Sequence, residues 1–416
     1  MPKRDRWKKQ KERMTMRRLM WALLMWCCLA MPCHSETVPA DSVSVDSVSP
    51  DSDEFVTASL LISAPLKVLY SVFGHATLRM ECPTHDLDFI YTFESDANVG
   101  TFMTGVAGKA KAKYVAIPTD TFLRDSREMG REVRQYKLNL TPKEKQELWR
   151  LLDEELTAGA YRNFNLLYTN CLSTSIIDVQ RCLVGEHFEW GTLRFPQTLK
   201  DGDFLRYAVR HSPWAEFLFI TFIGTAYESF SVIEHKLMPE MIISMLREAR
   251  IINDETGESR FVVTDPGIVL VEDGGKDKGV PISPIMAFGS LLALALVITA
   301  AERWAGCKKI ARIFDILIFM AQAVVGASML YITFFSELFA SNWNWYFIIF
   351  LPLPLLIWWC LKGKKAARCW LAYSIILVIF IAATPLLGVL DFPHQLITAT
   401  LLVRSLSRYY MSNRSD

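Results

Sequence analysis

A chain of 416 residues is long enough for more than one domain, and with 51% hydrophobic residues and a positive mean hydropathy it is more apolar than an ordinary water-soluble protein. A net charge of +1, with no domain-wide basic surplus, excludes a nucleic-acid footprint. The apolar excess gathers at residues 20–33 and from residue 285 onward, so residues 35–280 read as a soluble domain held between hydrophobic ends.

In chain order, a basic flank through Arg17-Arg18 leads into the apolar stretch 19–33 and the polar exit Cys33-His34-Ser35. These are the three parts of a secretory signal, so residues 1–35 are expected to form a signal peptide cleaved near Ser35, or else an N-terminal anchor. Ala30-Met31-Pro32-Cys33 lacks the small residue expected before a lipidated cysteine, so the chain is not read as a lipoprotein itself. Residues 36–54, rich in Ser, Val, Asp and Pro, have too little bulk to bury and are expected to be a disordered linker.

A soluble domain over 55–280 follows. Residues 56–62, 68–72, 76–80 and 88–93 have strand character, short apolar runs between turn residues. Thr141-Pro142-Lys143-Glu144 is a capped, proline-started helix opening, and Leu148, Leu151, Leu152 and Leu156 recur on one helical face up to about residue 157. A second helix is expected from Asn170, with Ile176, Ile177 and Val179 behind its first residue. The apolar stretch 214–223 is too short to span a bilayer; it could lie in the interface, line an acyl groove or be buried in the core. The lysines of Gly108-Lys109-Ala110-Lys111-Ala112-Lys113 could grip phospholipid head groups or form a solvated face.

From residue 281 the pattern is that of an all-α transmembrane bundle of four to five helices, with spans at 285–301, 313–335, 345–361 and 370–390 and a short stretch at 395–403. The loop 302–312 carries Arg303, Lys308, Lys309 and Arg312, and the loop after the third span carries Lys362, Lys364, Lys365 and Arg368. By the positive-inside rule both face the cytoplasm, which puts the soluble domain on the other side, where the signal segment also sends it. The expected location is the bacterial inner membrane, multi-pass, with the soluble domain in the periplasm. Pro352, Pro354 and Pro385 are expected to kink helices, and Asp315, one turn from Arg312, to form a snorkelling pair with it.

The chemistry of the soluble domain rests on two motifs. His75 lies in Tyr70-Ser71-Val72-Phe73-Gly74-His75-Ala76-Thr77-Leu78-Arg79, and Cys171 lies in Asn170-Cys171-Leu172-Ser173-Thr174. A thiol and an imidazole are the minimum equipment for covalent acyl chemistry. A thiol at a helix start meets unpaired N–H groups and partial positive charge, which lower its pKa and offer a place for an oxyanion. A third polar group should orient the imidazole: Asp88 on the next strand is the candidate, with His85 and Thr92 as rivals. Asn170, Thr174 and Arg79, which flank the pair within the two motifs, are the substrate-binding candidates. Against this stands a plain alternative, in which Cys171 pairs with Cys182 or Cys82 in a disulfide and His75 is a core histidine. No metal-ligand spacing, phosphate loop, dinucleotide fingerprint or Gly-x-Ser-x-Gly elbow is present, so neither metal nor cofactor is expected.

The two motifs, together with Lys137-Leu138-Asn139-Leu140-Thr141, the segment 234–240 and the 335–344 loop, resemble the Lnb N-terminal periplasmic domain family of bacterial envelope proteins. The resemblance implies an α+β permuted papain-like fold, shared with NlpC-type hydrolases and the lecithin-retinol acyltransferase group, in which His precedes Cys. It also implies Cys171 as nucleophile and His75 as base. The reaction implied is lipoprotein N-acylation, with a phospholipid as acyl donor and the N-terminal cysteine of a lipoprotein as acceptor. Where family members commonly show Tyr-Asn-Tyr-Gly, this chain has Tyr91-Thr92-Phe93-Glu94. The rival activities are an envelope cysteine hydrolase, acting on peptidoglycan or phospholipid, and a scaffold without enzymatic function.

Overall fold

The computed structural model describes residues 55–68, 71–95, 108–164, 169–191, 206–223, 239–276, 279–335, 344–386 and 391–414. The expected signal segment 1–35 and linker 36–54 lie outside the described residues, as do most of the segment 234–240 and most of the 335–344 loop.

The first half is an α+β domain. Its elements are β1 Thr57–Ser63, β2 His75–Cys82, β3 Leu87–Glu94, β4 Lys111–Pro118, α1 Thr119–Met129, β5 Val133–Lys137, α2 Pro142–Ala158, β6 Arg162–Asn163, α3 Cys171–Arg181 and β7 Glu186–Glu189. They continue with α4 Pro213–Ile223, α5 Pro239–Leu246, β8 Arg250–Asn253, β9 Ser259–Phe261 and β10 Ile268–Val271. An antiparallel seven-stranded sheet runs β10-β5-β1-β2-β3-β4-β6, and β7-β8-β9 form a second, small sheet. β1 is a nearly unbroken buried run because both of its faces are covered. On one face Leu60, Leu78, Met80 and Phe93 meet Leu148 and Leu152 of α2 and Leu172 and Ile176 of α3. On the other, Leu61, Ile90 and Val133 meet Phe122 and Leu123 of α1.

α2 begins and ends as its sequence predicts. Thr141 and Glu144 form a reciprocal capping box, Pro142 occupies the first turn, and Gly159 closes the helix at φ 56°. The expected strand at 68–72 is instead a turn, in which the Ser71 N–H donates to Val68 O and the Gly74 N–H to Ser71 O. Val72 is buried there against Val209 and Ala215, so its apolar character reflects packing outside the sheet.

The second half is helical: α6 Pro284–Trp304, α7 Lys308–Phe335, α8 Phe347–Phe350, α9 Leu353–Cys360, α10 Gly363–Ala383 and α11 Phe392–Asn413. Among the described residues α6, α7 and α10 are long and apolar enough to cross a membrane. The third expected span is broken at Leu351-Pro352 into α8 and α9. Gln322 of α7 repairs the break, its Nε2 donating to Ile349 O (2.7 Å) and Leu351 O (2.9 Å), carbonyls a proline-broken helix leaves unpaired. Gly326, one turn on, lets this break approach: a Cβ there would lie 2.0 Å from Phe350 O.

The short stretch 395–403 belongs to the 22-residue helix α11, packed between α6 and α10. Its hydropathy is diluted by a buried polar face. Arg404, fully buried, binds Asp315 (2.5 and 3.0 Å), Glu302 (3.0 Å) and Thr299 (2.6 Å), and Arg408 binds Glu302 (2.7 Å) and Asp315. The expected Asp315–Arg312 pair is therefore corrected: Asp315 is buried and turned inward to α11, while Arg312 is exposed. Desolvated charges in a bundle need partners at close range, and α11 supplies them.

α4 joins the halves. One face places Ala215 and Phe219 on Val72 and Phe73, with the Phe73 and Phe219 rings 5.3 Å apart. On the other, Phe217 packs on Phe288 and His394 (both 4.9 Å), Thr221 Oγ1 is 2.9 Å from His394 Nε2, and Asn344 Nδ2 donates to Thr221 O. Of the three readings of the 214–223 stretch, burial between the two halves is the one the structure adopts.

Candidate active site

The turn at 71–74 delivers His75 to the first position of β2. Gly74 has φ 77°, and a Cβ there would lie 2.7 Å from Ser63 O, so glycine is required both by conformation and by space. Cys171 is the first residue of α3. Asn170 caps that helix, its Oδ1 accepting from Leu172 N (3.0 Å) and Ser173 N (2.9 Å), while Ser173 Oγ accepts from Asn170 N.

These two starts bring the thiol and imidazole to the same cavity, close enough for each to shift the other's ionisation. His75 Nε2 is 2.7 Å from Thr92 Oγ1 and 3.3 Å from Glu94 Oε1, and the Thr92 hydroxyl donates to Glu94 (3.2 Å). Since Thr92 spends its proton on Glu94, it accepts from Nε2–H.

Electrostatics follow from this arrangement. Burial alone would lower the imidazole, but the charge and hydrogen bond of Cys171, then those of Glu94, outweigh it and push His75 up to about 9. Burial pushes the Cys171 thiol up, yet the His75 charge and hydrogen bond, with the backbone N–H groups of Ala76 and Leu172, bring it below the ordinary thiol value. Burial likewise opposes ionisation of Glu94, and His75, Thr92 and Arg131 overcome it, keeping a carboxylate. All three shifts favour the charged forms, with a carboxylate behind the ring.

The pair opens into a cavity of about 370 Å³. Phe73, Phe93, Met129 and Phe164 give it apolar walls, and Glu94 and Arg131 add opposite charges. An apolar chain and one polar head fit such a lining.

Several expected site residues are placed elsewhere. Asp88 faces Glu81 in the β2–β3 ladder, six residues along β3 from Glu94 or about 20 Å of strand, and is held by Arg79 (2.6 and 2.8 Å) and Thr119 (2.6 Å). It does not orient His75; of the two rivals, Thr92 touches the ring and His85 lies beside Cys82. Arg79, bound to Asp88 and Gln135, does not line the cavity. Thr174 is buried below it, donating to Asn170 O, and Asn170 lines the cavity but commits its side-chain oxygen to the helix cap. That cap also takes the Leu172 and Ser173 N–H groups expected for an oxyanion, leaving the Cys171 N–H as the donor at this helix start. Glu94, Arg131 and Met129 were missed. The signal for Glu94 was present: a carboxylate ending an apolar strand next to the strand that His75 opens.

The disulfide alternative does not hold. Cys82, Cys171 and Cys182 are free thiols, and Cys171 and Cys182 sit at opposite ends of α3, about 16 Å of helix apart. Among the described residues no group of three or more His, Cys, Asp and Glu could hold a metal ion.

Comparison with known families agrees with this division of the chain. The Lnb N-terminal periplasmic domain matches residues 47–200, spanning both His75 and Cys171, and the Lnb transmembrane domain matches residues 276–416. The chain belongs to the Lnb family. No curated protein and no solved structure matches it. As an Lnb protein it is a membrane-anchored protein of the bacterial envelope with a periplasmic domain, and membership suggests a part in lipoprotein biogenesis.

Proposed function

We propose that this Lnb protein is a membrane-tethered thiol acyltransferase of the inner membrane, working from the periplasmic side, with Cys171 as nucleophile and His75 as its acid and base. The observation that carries the proposal is the placement of Cys171 beside His75 in one apolar-walled cavity, in a domain fixed to a membrane bundle by α4.

Two half-reactions follow. The Cys171 thiolate attacks a phospholipid ester carbonyl, the Cys171 N–H faces the developing oxyanion, and the C–O bond breaks as His75 protonates the departing lysophospholipid oxygen. An amine then attacks the thioester carbonyl, gives its proton to His75 and takes the acyl group, and the C–S bond breaks to restore the thiolate. The acceptor we infer is the α-amino group of a lipoprotein's N-terminal cysteine. Glu94 steadies the imidazolium through both steps, and the apolar walls limit competing hydrolysis.

The test is intact mass of the full-length protein after incubation with phospholipid. A hydroxylamine-sensitive fatty-acyl increment, absent from Cys171→Ala, is the expected result, and its discharge by a lipoprotein-type N-terminal peptide identifies the acceptor. Discharge by water at the same rate identifies a hydrolase instead, and no increment at all defeats both readings.

A further inference from the structure

A second cavity, of about 450 Å³, lies beside the one that holds Cys171. Two residues join them. Arg131 lines both, fixed by donation from its Nε to Ala64 O (2.9 Å). Ser63, in the wall of the second, pairs with His75 across the β1–β2 ladder, so their Cα atoms are about 5 Å apart. An extended chain whose amino end reaches His75 enters the second cavity within about two residues, since each residue advances roughly 3.5 Å.

The wall of this cavity is ordered by backbone hydrogen bonds and is chemically mixed. Ala64 N donates to Glu132 O and Gly274 N to Gly130 O, which ties together the segments that follow β1, α1 and β10. Its charged groups have both signs: Arg134 is paired with Glu132 (2.6 Å), and the Asp273 carboxylate accepts from Gly275 N (2.9 Å). Pro65, Leu66 and Ile243 add apolar surface. The Ser63 hydroxyl, in a residue 1% exposed, has no hydrogen-bond partner among the described residues. A buried hydroxyl left unpaired costs stability, which a ligand that reaches it recovers.

This lining suits a polypeptide better than the acyl donor. A phosphodiester would meet two carboxylates, Glu132 and Asp273, and an acyl chain would have to cover charged groups with hydrocarbon. A peptide brings a donor and an acceptor at each residue, with side chains of varied character. We propose that the second cavity binds the first residues after the N-terminal cysteine of the acceptor, and so presents the acceptor's amine to the thioester at Cys171. The proposal rests on the acyltransferase reading and names the acceptor subsite of that reaction. With the peptide in this cavity and the acyl group in the other, the amine nitrogen bonds to the thioester carbonyl, its proton passes to His75, and the C–S bond breaks to return the thiolate.

The test separates the two half-reactions in the full-length protein. The acyl-enzyme is formed with phospholipid and followed by intact mass, then discharged by two probes: a pentapeptide beginning with S-dipalmitoylglyceryl-cysteine, and S-dipalmitoylglyceryl-cysteine amide, which lacks the following residues. The wild type should be discharged at about ten-fold lower concentrations of the pentapeptide than of the amide. Ser63→Ala/Asp273→Asn, which removes polar groups, and Ala64→Phe, which fills the cavity, should each erase most of that preference while thioester formation keeps its wild-type rate. Equal discharge of the wild type by both probes, or a preference that survives in both variants, overturns the inference and leaves the acyltransferase reading standing. Equal slowing of thioester formation and of both discharges in the variants gives these residues a structural role and overturns it as well. A wild type that forms no thioester defeats the acyltransferase reading itself, and this inference with it.

Discussion

The two halves of this molecule each hold a cluster of charged and polar side chains drawn from distant parts of the chain, and they treat it in opposite ways. In the bundle, Arg404, Asp315 and Glu302 are at most 4% exposed, and their charges close on one another. In the α+β domain, Cys171, His75 and Glu94 stay partly exposed at a cavity. A closed cluster has no group left to react, whereas the open one leaves a thiol and an imidazole at the edge of a cavity. The bundle offers a second contrast in His394, which lies between Asp391 (2.5 Å) and the Thr221 hydroxyl (2.9 Å) in the order of a catalytic relay. Full burial and donation of that hydroxyl to Phe217 O make it a joint between α4 and α11.

The sharpest way to break the comparison is at the open cluster. Cys171→Ala should abolish acyl transfer, and His75→Ala should slow it by about 10²–10⁴-fold, measured as phospholipid consumed per unit time. At the closed cluster, Arg404→Met leaves two buried carboxylates with Arg408 as their one remaining cation and should cost about 3–5 kcal/mol of stability, read from unfolding in detergent, with little effect on thioester formation in the protein that remains folded. Replacing Arg404, Arg408, Asp315 and Glu302 together by apolar residues should recover much of that loss, since these four charges pair with one another.

A smaller effect separates the carboxylate behind the imidazole from the pair itself. His75 is raised above its usual 6.5 to about 9, so the imidazolium persists up to that pH and is lost as pH rises through it. Transfer should therefore hold on the alkaline side until about pH 9 and then fall, and Glu94→Gln should move that fall to lower pH while leaving iodoacetamide labelling of Cys171 rapid near neutrality. An unshifted alkaline limb in the variant would remove Glu94 from the site's electrostatics. The smallest effect is at the α2 cap, where Thr141→Ala should cost about 1 kcal/mol in thermal unfolding and leave the pH profile alone.

What could be read from the residues was local. Thr141 and Pro142 announce a helix, and Gly74-His75 and Asn170-Cys171 announce a turn before a strand and a cap before a helix, because each signal lies within a few positions of what it specifies. The third partner of His75 was not legible in this way. Asp88, Thr92 and Glu94 share one strand, and only the β2–β3 register decides that the row near His75 holds Thr92 and Glu94. The partner of Asp315 was hidden for the same reason, since Arg404 is 89 residues distant and the adjacent Arg312 is the obvious local choice. The α4 stretch was recognised as apolar, but nothing in its composition shows that both faces are covered, by two different halves of the protein.

The break between α8 and α9 ties two positions into one evolutionary unit. Gln322 supplies, from another helix, donors for carbonyls that the Pro352 interruption leaves exposed to an apolar interior. Exchange of Gln322 for an apolar residue abandons those carbonyls, and exchange of Pro352 in favour of a continuous helix takes the carbonyls away from a buried amide. Each single step passes through unpaired backbone or amide groups, and the two changes together leave only the Tyr373 hydroxyl, which Gln322 also reaches, to find another partner. A lineage that straightens this helix must therefore alter both residues nearly at once, which gives the kink a persistence owed to the order in which mutations can occur.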